Sequence, residues 1–223
     1  MASKTDVVIE IKKPNLVRVP LRLVGDSSLI VHAWSEKAKR QMLEAQQKVA
    51  KAKKAKPVRN PYEEYCDSIY WISGAPQEKT PEAMEKAFMK GALTGFPVTA
   101  IKQAAISAAY RGGMIPNMAG VRGVFFLNGT DSDEMVTIKS DMPEMREDMV
   151  RLSGIGNPAD LRYRAEYKKW SADFTLVFND NGVFTLEQII NMLDAGGFAC
   201  GIGEWRPEKD GQHGMYHIEM RDE

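Results

Sequence analysis

The sequence predicts an α+β fold built on an antiparallel sheet of the ferredoxin-like or RRM-like kind, with a long basic helix inserted after the first strands. The prediction depends on two β-α-β units that flank an antiparallel strand pair. The predicted elements run strand, helix, strand, strand, strand, helix and strand, over residues 16–33, 98–110, 121–127, 135–139, 171–178, 185–195 and 215–220. The 223 residues are 43% hydrophobic, enough for one cored domain with an excursion or for two small domains. We expect one domain over residues 1–223.

The first strands open the predicted sheet. Residues 16–24 and 29–33 are rich in aliphatic and β-branched side chains, which favour strands. Gly25-Asp26-Ser27-Ser28 lies between them and is typical of a turn. The sequence therefore predicts that these two strands pair as a hairpin.

A basic helix over residues 35–56 follows, and with residues 57–97 it forms a predicted helical insertion or arm over residues 35–97. Nine basic and two acidic residues between Glu36 and Arg59 give this segment a net charge of about +7, in a chain of zero formal net charge. The excess suits an arm that contacts phosphates, although a solvated helix or a disordered lysine-rich arm has the same composition. The predicted phosphate contacts in the arm are Lys37, Arg40, Lys48, Lys51 and Lys54.

An alanine-rich helix over residues 98–110 is the strongest predicted element in the middle of the chain, because its alanines allow close packing. Arg111 precedes a glycine-rich loop and Arg122 follows it. These arginines could close over a bound strand, or the glycines around them could reflect turn chemistry alone.

Basic and aromatic side chains are interleaved in residues 160–170. This pattern fits a single nucleic-acid strand, since cations follow the backbone and rings stack on bases. In a β-strand, Arg162 and Arg164 would share one face and Tyr163 would lie on the other. Lys168 and Lys169 extend the positive charge. The alternative is an edge strand whose tyrosine packs inward.

The C-terminal quarter reads strand, helix, glycine-rich loop, strand. Thr185 and Gln188 predict a capping box, and Gly196-Gly197 predicts the end of that helix. The loop that follows is dense in glycine, which lets backbone N–H groups approach phosphates. Its predicted binding residues are Gly201, Gly203, Trp205, Arg206 and Lys209. Alternatively, Trp205 plugs the core and Arg206 pairs with Glu204 or Glu208.

This C-terminal unit resembles the RAMP superfamily, the RNA-binding backbone subunits of CRISPR effector complexes. The resemblance rests on glycines after the second helix, namely Gly196, Gly197, Gly201, Gly203, Gly211 and Gly214. The whole chain is also similar to conserved bacteriophage proteins that carry the motifs Gly201-Ile-Gly-Glu-Trp-Arg-Pro207, Asp160-Leu-Arg-Tyr-Arg164 and Gly95-Phe-Pro97. The first resemblance implies a role on a nucleic-acid strand, and the second implies a phage or prophage origin.

Several classes of function lack their sequence signatures. There is no Gly-Lys-Ser/Thr of a P-loop and no dinucleotide fingerprint, so we expect no cofactor and no small-molecule substrate. No arrangement of Ser-His-Asp, Cys-His or clustered carboxylates predicts catalysis or a metal site. No apolar run reaches the length of a transmembrane helix. Cys66 and Cys200 form no Cys-x-x-Cys pair, and we expect a reduced, cytoplasmic protein.

Together these features predict a non-catalytic protein of phage origin that binds single-stranded nucleic acid. Single-stranded DNA in replication or recombination is the first expectation, and RNA is the second. The resemblance to the RAMP superfamily implies that protomers assemble side by side along the strand as a homo-oligomer. The competing hypothesis is an interaction protein, either an inhibitor of a host complex or an assembly component, that docks through its basic helix.

Overall fold

A computed structural model of the protein describes residues 13–34, 36–47, 58–151, 156 and 158–221. It contains five helices, α1 to α5, over Glu36–Gln46, Pro61–Asp67, Pro81–Met89, Val98–Arg111 and Leu186–Ala199. Strands β1 to β5 cover Leu16–Gly25, Leu29–Val31, Trp71–Ser73, Leu93–Pro97 and Phe125–Gly129. Strands β6 to β10 cover Met135–Lys139, Glu144–Arg151, Ala159–Tyr167, Ser171–Asn179 and Tyr216–Met220. The prediction of an α+β fold with antiparallel pairing is confirmed.

The main sheet has the strand order β10-β1-β9-β6-β4-β3, and β5 pairs with the other end of β9. The longest pairing is between β1 and β9, from Leu16 opposite Asn179 to Val24 opposite Ser171. Side chains of β1 alternate between the two faces of the sheet. Val19, Leu21 and Leu23 are buried, whereas the intervening residues are partly or fully exposed. The sheet therefore has one covered face and one open face.

Helices α4 and α5 cover the buried face. Ile101 and Ala105 of α4 and Ile189 and Leu193 of α5 are each fully buried in the core that contains Leu21. Thr185 accepts a hydrogen bond from the Gln188 backbone N–H, and the Gln188 side chain accepts one from the Thr185 N–H, which confirms the predicted capping box.

Gly196 and Gly197 do not end α5, so that prediction is wrong. The helix continues to Ala199, and both glycines are buried within it. A Cβ at residue 196 would lie 2.6 Å from the Ala105 backbone nitrogen, and one at residue 197 would lie 1.8 Å from the Tyr216 carbonyl oxygen. These glycines permit close helix–helix and helix–strand contact instead of a turn.

A second sheet has the order β2-β8-β7 and shares no strand pairing with the first, although Leu29 and Tyr167 pack in the same core as Leu21. The predicted hairpin between residues 16–24 and 29–33 is wrong, because β2 pairs with β8 and β1 pairs with β9 and β10. The chain changes direction at Gly25, where a Cβ would lie 2.2 Å from Nε1 of Trp170. The Trp170 indole N–H donates to the Ser27 carbonyl at 2.8 Å, which anchors the turn.

The predicted insertion over residues 35–97 contains α1, α2 and α3, and also the strands β3 and β4. Strand β4 pairs with β6 in the main sheet. Helix α1 ends at Gln46, and the part of the predicted basic helix that covers residues 48–56 lies outside the described residues. None of the helices described is both long and apolar enough to cross a membrane. Cys66 and Cys200 are buried and free.

Replacing Gly197 tests the packing of α5 on β10. Alanine normally stabilises a helix relative to glycine, but here its Cβ would overlap the Tyr216 carbonyl. We expect Gly197→Ala to lower the free energy of unfolding by about 1–3 kcal/mol in urea denaturation. Gly123→Ala is the control, because a Cβ at residue 123 meets no atom within 4 Å. Equal effects of the two substitutions would contradict the packing described.

Candidate nucleic-acid interface

Four basic side chains lie on the open face of the main sheet or at its edge. The register places Glu219, Arg22, Asp173 and Thr137 in one row across β10, β1, β9 and β6. Residues two apart on a strand share a face, so the face also contains Arg18 and Lys139. Arg221 follows β10 and reaches the same carboxylate as Lys139. The basic residues of this open face are Arg18, Arg22, Lys139 and Arg221, against the acidic Asp173 and Glu219 and the carboxylate of Asp131, which accepts a hydrogen bond from Thr137 at 2.6 Å.

The carboxylate of Asp173 organises these cations. Arg22 donates from Nε to Oδ1 at 2.7 Å, and Lys139 donates from Nζ to Oδ2 at 2.5 Å. Nη1 of Arg221 lies 3.3 Å from Oδ2. Asp173 is 2% exposed, whereas the three cations are 37–53% exposed. One buried anion therefore holds three basic groups that still face solvent, with a net charge of +2 for the cluster.

Hydrogen bonds from Arg22 are the largest cause that lowers the pKa of Asp173, which falls to about 2 despite burial. The carboxylate is therefore ionised throughout the ordinary pH range. Because its bonds orient Arg22 and Lys139, the spacing of their charges is set before any ligand arrives, which reduces the entropy lost on binding.

An aromatic ring lies across the sheet from Arg18. Arg18 and Phe126 both stand opposite Val177, on β1 and β5 respectively. The Phe126 side chain is 54% exposed, which is unusual for a phenylalanine in a sheet. The Lys102 ammonium lies 4.2 Å from the centre of its ring. Lys102 of α4 thus covers part of the ring, and the exposed remainder offers a base a surface for stacking beside the cations of the open face.

The basic residues predicted on β8 lie in the second sheet, and most of them are held in ion pairs. Arg164 is buried, with Nη1 3.4 Å from Asp148 and Nη2 3.6 Å from Glu204. Arg162 lies 2.8 Å from Asp160 through Nε. Lys168 lies 2.7 Å from Glu166. The prediction for Arg164 is therefore revised, because a buried, paired guanidinium does not reach a phosphate.

The remaining residues of this predicted strand have different surroundings. Tyr163 is partly buried and packs beside the Arg59 guanidinium, 5.9 Å from the ring centre. Arg59 is fixed on β8 by bonds to Glu64, Asp160 and the Leu161 carbonyl. Lys169 is exposed at the turn before β9. Of the basic residues predicted to contact nucleic acid in residues 160–170, Lys168 and Lys169, directly after β8, have the most exposed side chains.

The glycines of the C-terminal loop serve internal packing. Gly201 and Gly203 have positive φ angles of 63° and 78°. A Cβ at residue 203 would lie 2.3 Å from the Ile30 carbonyl oxygen, and one at residue 201 would lie 2.7 Å from Pro207. The Gly201 N–H donates to the Gly196 carbonyl, and the Glu204 N–H donates to that of Ile30. The predicted phosphate role of Gly201 and Gly203 is revised, since their close contacts are with the protein's own chain.

The alternative for this loop was that Trp205 plugs the core and Arg206 pairs with a glutamate. The structure supports only the second part. Arg206 donates to Glu208 from Nε at 3.2 Å and to the Gly203 carbonyl from Nη1 at 2.9 Å, so it is paired. Trp205 does not plug the core, because its side chain is 39% exposed. Lys209 is exposed.

Arg111 and the residues of the arm complete the predicted site. Arg111 donates to Glu208 at 2.7 Å, and Arg122 is exposed after its loop. Arg40 is exposed on α1. The side chain of Lys37 and all of Lys48, Lys51 and Lys54 lie outside what the structure describes. The described residues contain no group of three His, Cys, Asp or Glu side chains placed to hold a metal ion.

Sequence reasoning missed the open face, although part of the signal was available. Arg18 and Arg22 alternate with Val19, Leu21 and Leu23, a period of two that puts both arginines on the polar face of one strand. Lys139 and Arg221 carry no such signal. They join the cluster through strand pairing that brings residues distant in sequence to Asp173.

Comparisons with known proteins add no assignment. A scan against protein-family models finds no match, and a search of the curated proteins finds none either. Function is therefore inferred from the geometry of the described residues.

The pairing of Asp173 predicts a dependence of stability on pH. A carboxyl group whose folded-state pKa is depressed adds stability above its unfolded pKa, and that stability is lost as pH falls through the folded pKa. For Asp173 the loss runs from about pH 4 to about pH 2. We expect Asp173→Asn to reduce the free energy of unfolding at pH 7 by about 1–2 kcal/mol, allowing for screening at the half-exposed cations.

Urea denaturation over a pH series measures this effect. The difference between Asp173→Asn and the parent protein should shrink as pH falls towards 2. Asp133→Asn is the control, because Asp133 is an exposed aspartate in a turn. A difference for Asp173→Asn that does not change with pH would refute the proposed linkage.

The two arginines of β8 should respond differently to truncation. Arg164→Ala leaves buried Asp148 with Arg146 as its remaining partner, so we expect a loss of about 3 kcal/mol or more in thermal or urea unfolding. Arg162→Ala removes a partly exposed pair and should cost less than about 1 kcal/mol. If Arg164→Ala kept full stability, the structural role assigned to Arg164 would be wrong.

Proposed function

We propose that the protein binds single-stranded nucleic acid on the open face of its main sheet. The observation that carries the proposal is the buried Asp173 carboxylate, which holds Arg22, Lys139 and Arg221 in fixed positions facing solvent. Cations at set spacing suit a chain of phosphates. The binding surface in this proposal is the sheet face, and Gly201, Gly203, Arg206 and Arg164 have structural roles.

We infer further that the core of the fold is ferredoxin-like or RRM-like. The strand order β10-β1-β9-β5, with α4 and α5 on one face, supports this inference. RRM-type sheets bind single-stranded RNA on the open face, where aromatic rings stack on bases. The exposed ring of Phe126 would have that role here.

The ligand in this proposal is a single strand and not a duplex. A ring such as Phe126 can stack on a base only if that base can leave the stack of its own neighbours, which is easier in a single strand than in a duplex. The face has four basic side chains against the three carboxylates of Asp131, Asp173 and Glu219, so binding should be moderate and sensitive to salt. Single-stranded DNA is the first expectation and RNA the second.

Other expectations from the sequence stay predictions. They are the phage or prophage origin, the relation to the RAMP superfamily, the absence of catalysis, and assembly of protomers side by side along the strand. Lys168 and Lys169 stay candidates for additional phosphate contacts, since both ammonium groups are exposed.

Two substitutions distinguish the contribution of charge from the contribution of base stacking to binding on the open face. Arg18→Ala should weaken binding of a labelled dT oligomer and reduce the slope of log affinity against log salt by about 0.7, the loss of one phosphate contact. Phe126→Ala should cost about 1–3 kcal/mol of binding free energy and leave that slope unchanged. Fluorescence anisotropy at several salt concentrations, with matched U oligomers, measures both effects and identifies the preferred strand.

Arg151→Ala is the control, because Arg151 is exposed at the end of β7 in the second sheet. It should change neither the affinity nor the slope. If no oligomer binds at low salt, the proposed function is wrong, and the competing hypothesis of a protein-interaction factor that docks through its basic helix takes precedence.

A further inference from the structure

A cleft lies on the helix side of the fold, away from the open sheet face. Its walls come from the start of α4, the end of β4, the residues around His32 and Tyr70, and the C-terminal glycine loop. Its volume is about 290 Å³. Ligand pockets have volumes of about 300–1,000 Å³, so this cleft suits a ligand of the size of a nucleobase or nucleoside.

One side of the cleft is apolar and partly aromatic. Phe96 and Ile202 are buried, and Ala100 lines the same cleft. The rings of Tyr70 and Phe96 meet edge to face, with centres 5.5 Å apart and planes at 73°. Such a wall binds a flat heterocycle through dispersion and ring contacts.

The opposite side presents a carboxylate with free acceptor capacity. Oε1 of Glu204 lies 3.7 Å from Nδ1 of His32, and Oε2 lies 3.6 Å from Nη2 of Arg164. Both distances exceed the range of a hydrogen bond. The contact with the His32 ring is the largest cause that lowers the pKa of Glu204, and the charge of Arg164 lowers it further, so the group is an anion. Each of its two oxygens can still accept a hydrogen bond from a ligand.

The charges that line the cleft do not favour binding of a phosphate. Arg206 lines the cleft, and each of its three guanidinium nitrogens donates a hydrogen bond to Glu208 or to the Gly203 carbonyl. Glu208 also receives bonds from Arg111 and Ser107. An added phosphate would meet two carboxylates, Glu204 and Glu208, before it met an unpaired guanidinium.

We propose that this cleft binds an unpaired guanine base, with the Glu204 carboxylate accepting from N1–H and the N2 amino group. Guanine presents two adjacent N–H donors on one edge, which match the two carboxylate oxygens as a bidentate pair. Adenine and cytosine present one amino group, and uracil and thymine present one N–H. Gln103, which is exposed at the cleft, can donate its amide N–H to guanine O6. The apolar wall of Phe96 and Ile202 takes the face of the ring.

This inference goes beyond the proposed function, because the cleft and the sheet face lie on opposite sides of the main sheet. The guanine could be a free nucleoside or a base of a bound strand, and the experiment has one arm for each source. The first arm is isothermal titration calorimetry of the full chain with guanosine, inosine and uridine. Inosine lacks only the N2 amino group. We expect guanosine to bind about 10-fold more tightly than inosine, because one charge-assisted hydrogen bond is lost.

Glu204→Gln gives the decisive comparison. Its amide has one acceptor where the carboxylate has two, so guanosine should bind about 10-fold more weakly and the difference between guanosine and inosine should disappear. Glu85→Gln removes an exposed carboxylate on α3 and should change neither ligand's affinity. Thermal unfolding of both variants verifies that the fold is intact. In the second arm, a dT oligomer that contains one guanine should bind the parent protein more tightly than pure dT, and Glu204→Gln should erase that preference.

The outcomes separate the two proposals. If dT binds but neither guanosine nor the guanine-containing oligomer shows a preference, the guanine site is refuted and the sheet-face function stands. If guanosine binds and no strand does, the guanine site stands and the proposed function falls. Equal affinity for guanosine, inosine and uridine would also overturn the proposal, because it would exclude recognition by the carboxylate.

Discussion

The pairing of β1 with β9 is the constraint on which the rest of the structure depends. Nine residue pairs, from Leu16 opposite Asn179 to Val24 opposite Ser171, join the start of the described chain to its last third. Because side chains on a strand alternate, this one register assigns every residue of both strands to a face. It puts Leu21 and Phe174 under the helices, and it puts Arg22 beside Asp173 on the side that faces solvent. A slip by one residue would bury the arginines and expose the core.

Charge is used in two different ways in the two sheets. In the main sheet, a single buried carboxylate holds half-exposed cations, which leaves positive charge available to a ligand. In the second sheet, Asp148 and Glu166 are matched by Arg146, Arg164 and Lys168, so the charges largely neutralise one another. Burial acts to raise the pKa of Glu166, yet the bonds from Lys168 and Ser28 lower it. The second sheet therefore stabilises the fold, and the main sheet is left to carry the proposed binding surface.

Glycines in this chain also fit two different roles, phosphate binding and close backbone packing. A glycine-rich loop is a common way for backbone N–H groups to approach a phosphate, and sequence alone cannot separate that use from close packing. Gly203 lies against the Ile30 carbonyl, and Gly214 lies against that of Ile202. The loop thus folds onto β2 and onto itself, and in doing so it forms one wall of the cleft that presents Glu204.

The sequence by itself determined the local elements, including the α+β class, the capping box at Thr185 and the strand positions around Arg18 and Arg22, because caps and side-chain periodicity act over a few residues. It also suggested that the alanines of α4 pack closely, as Ala105 does against Gly196. Only the tertiary structure decided which charged side chains stay exposed and able to contact a ligand. Arg164 and Arg22 look alike in sequence, but Arg164 is buried against Asp148 whereas Arg22 keeps its exposure beside Asp173. That difference arises from strand partners more than a hundred residues away from Arg22, and no local pattern contains it.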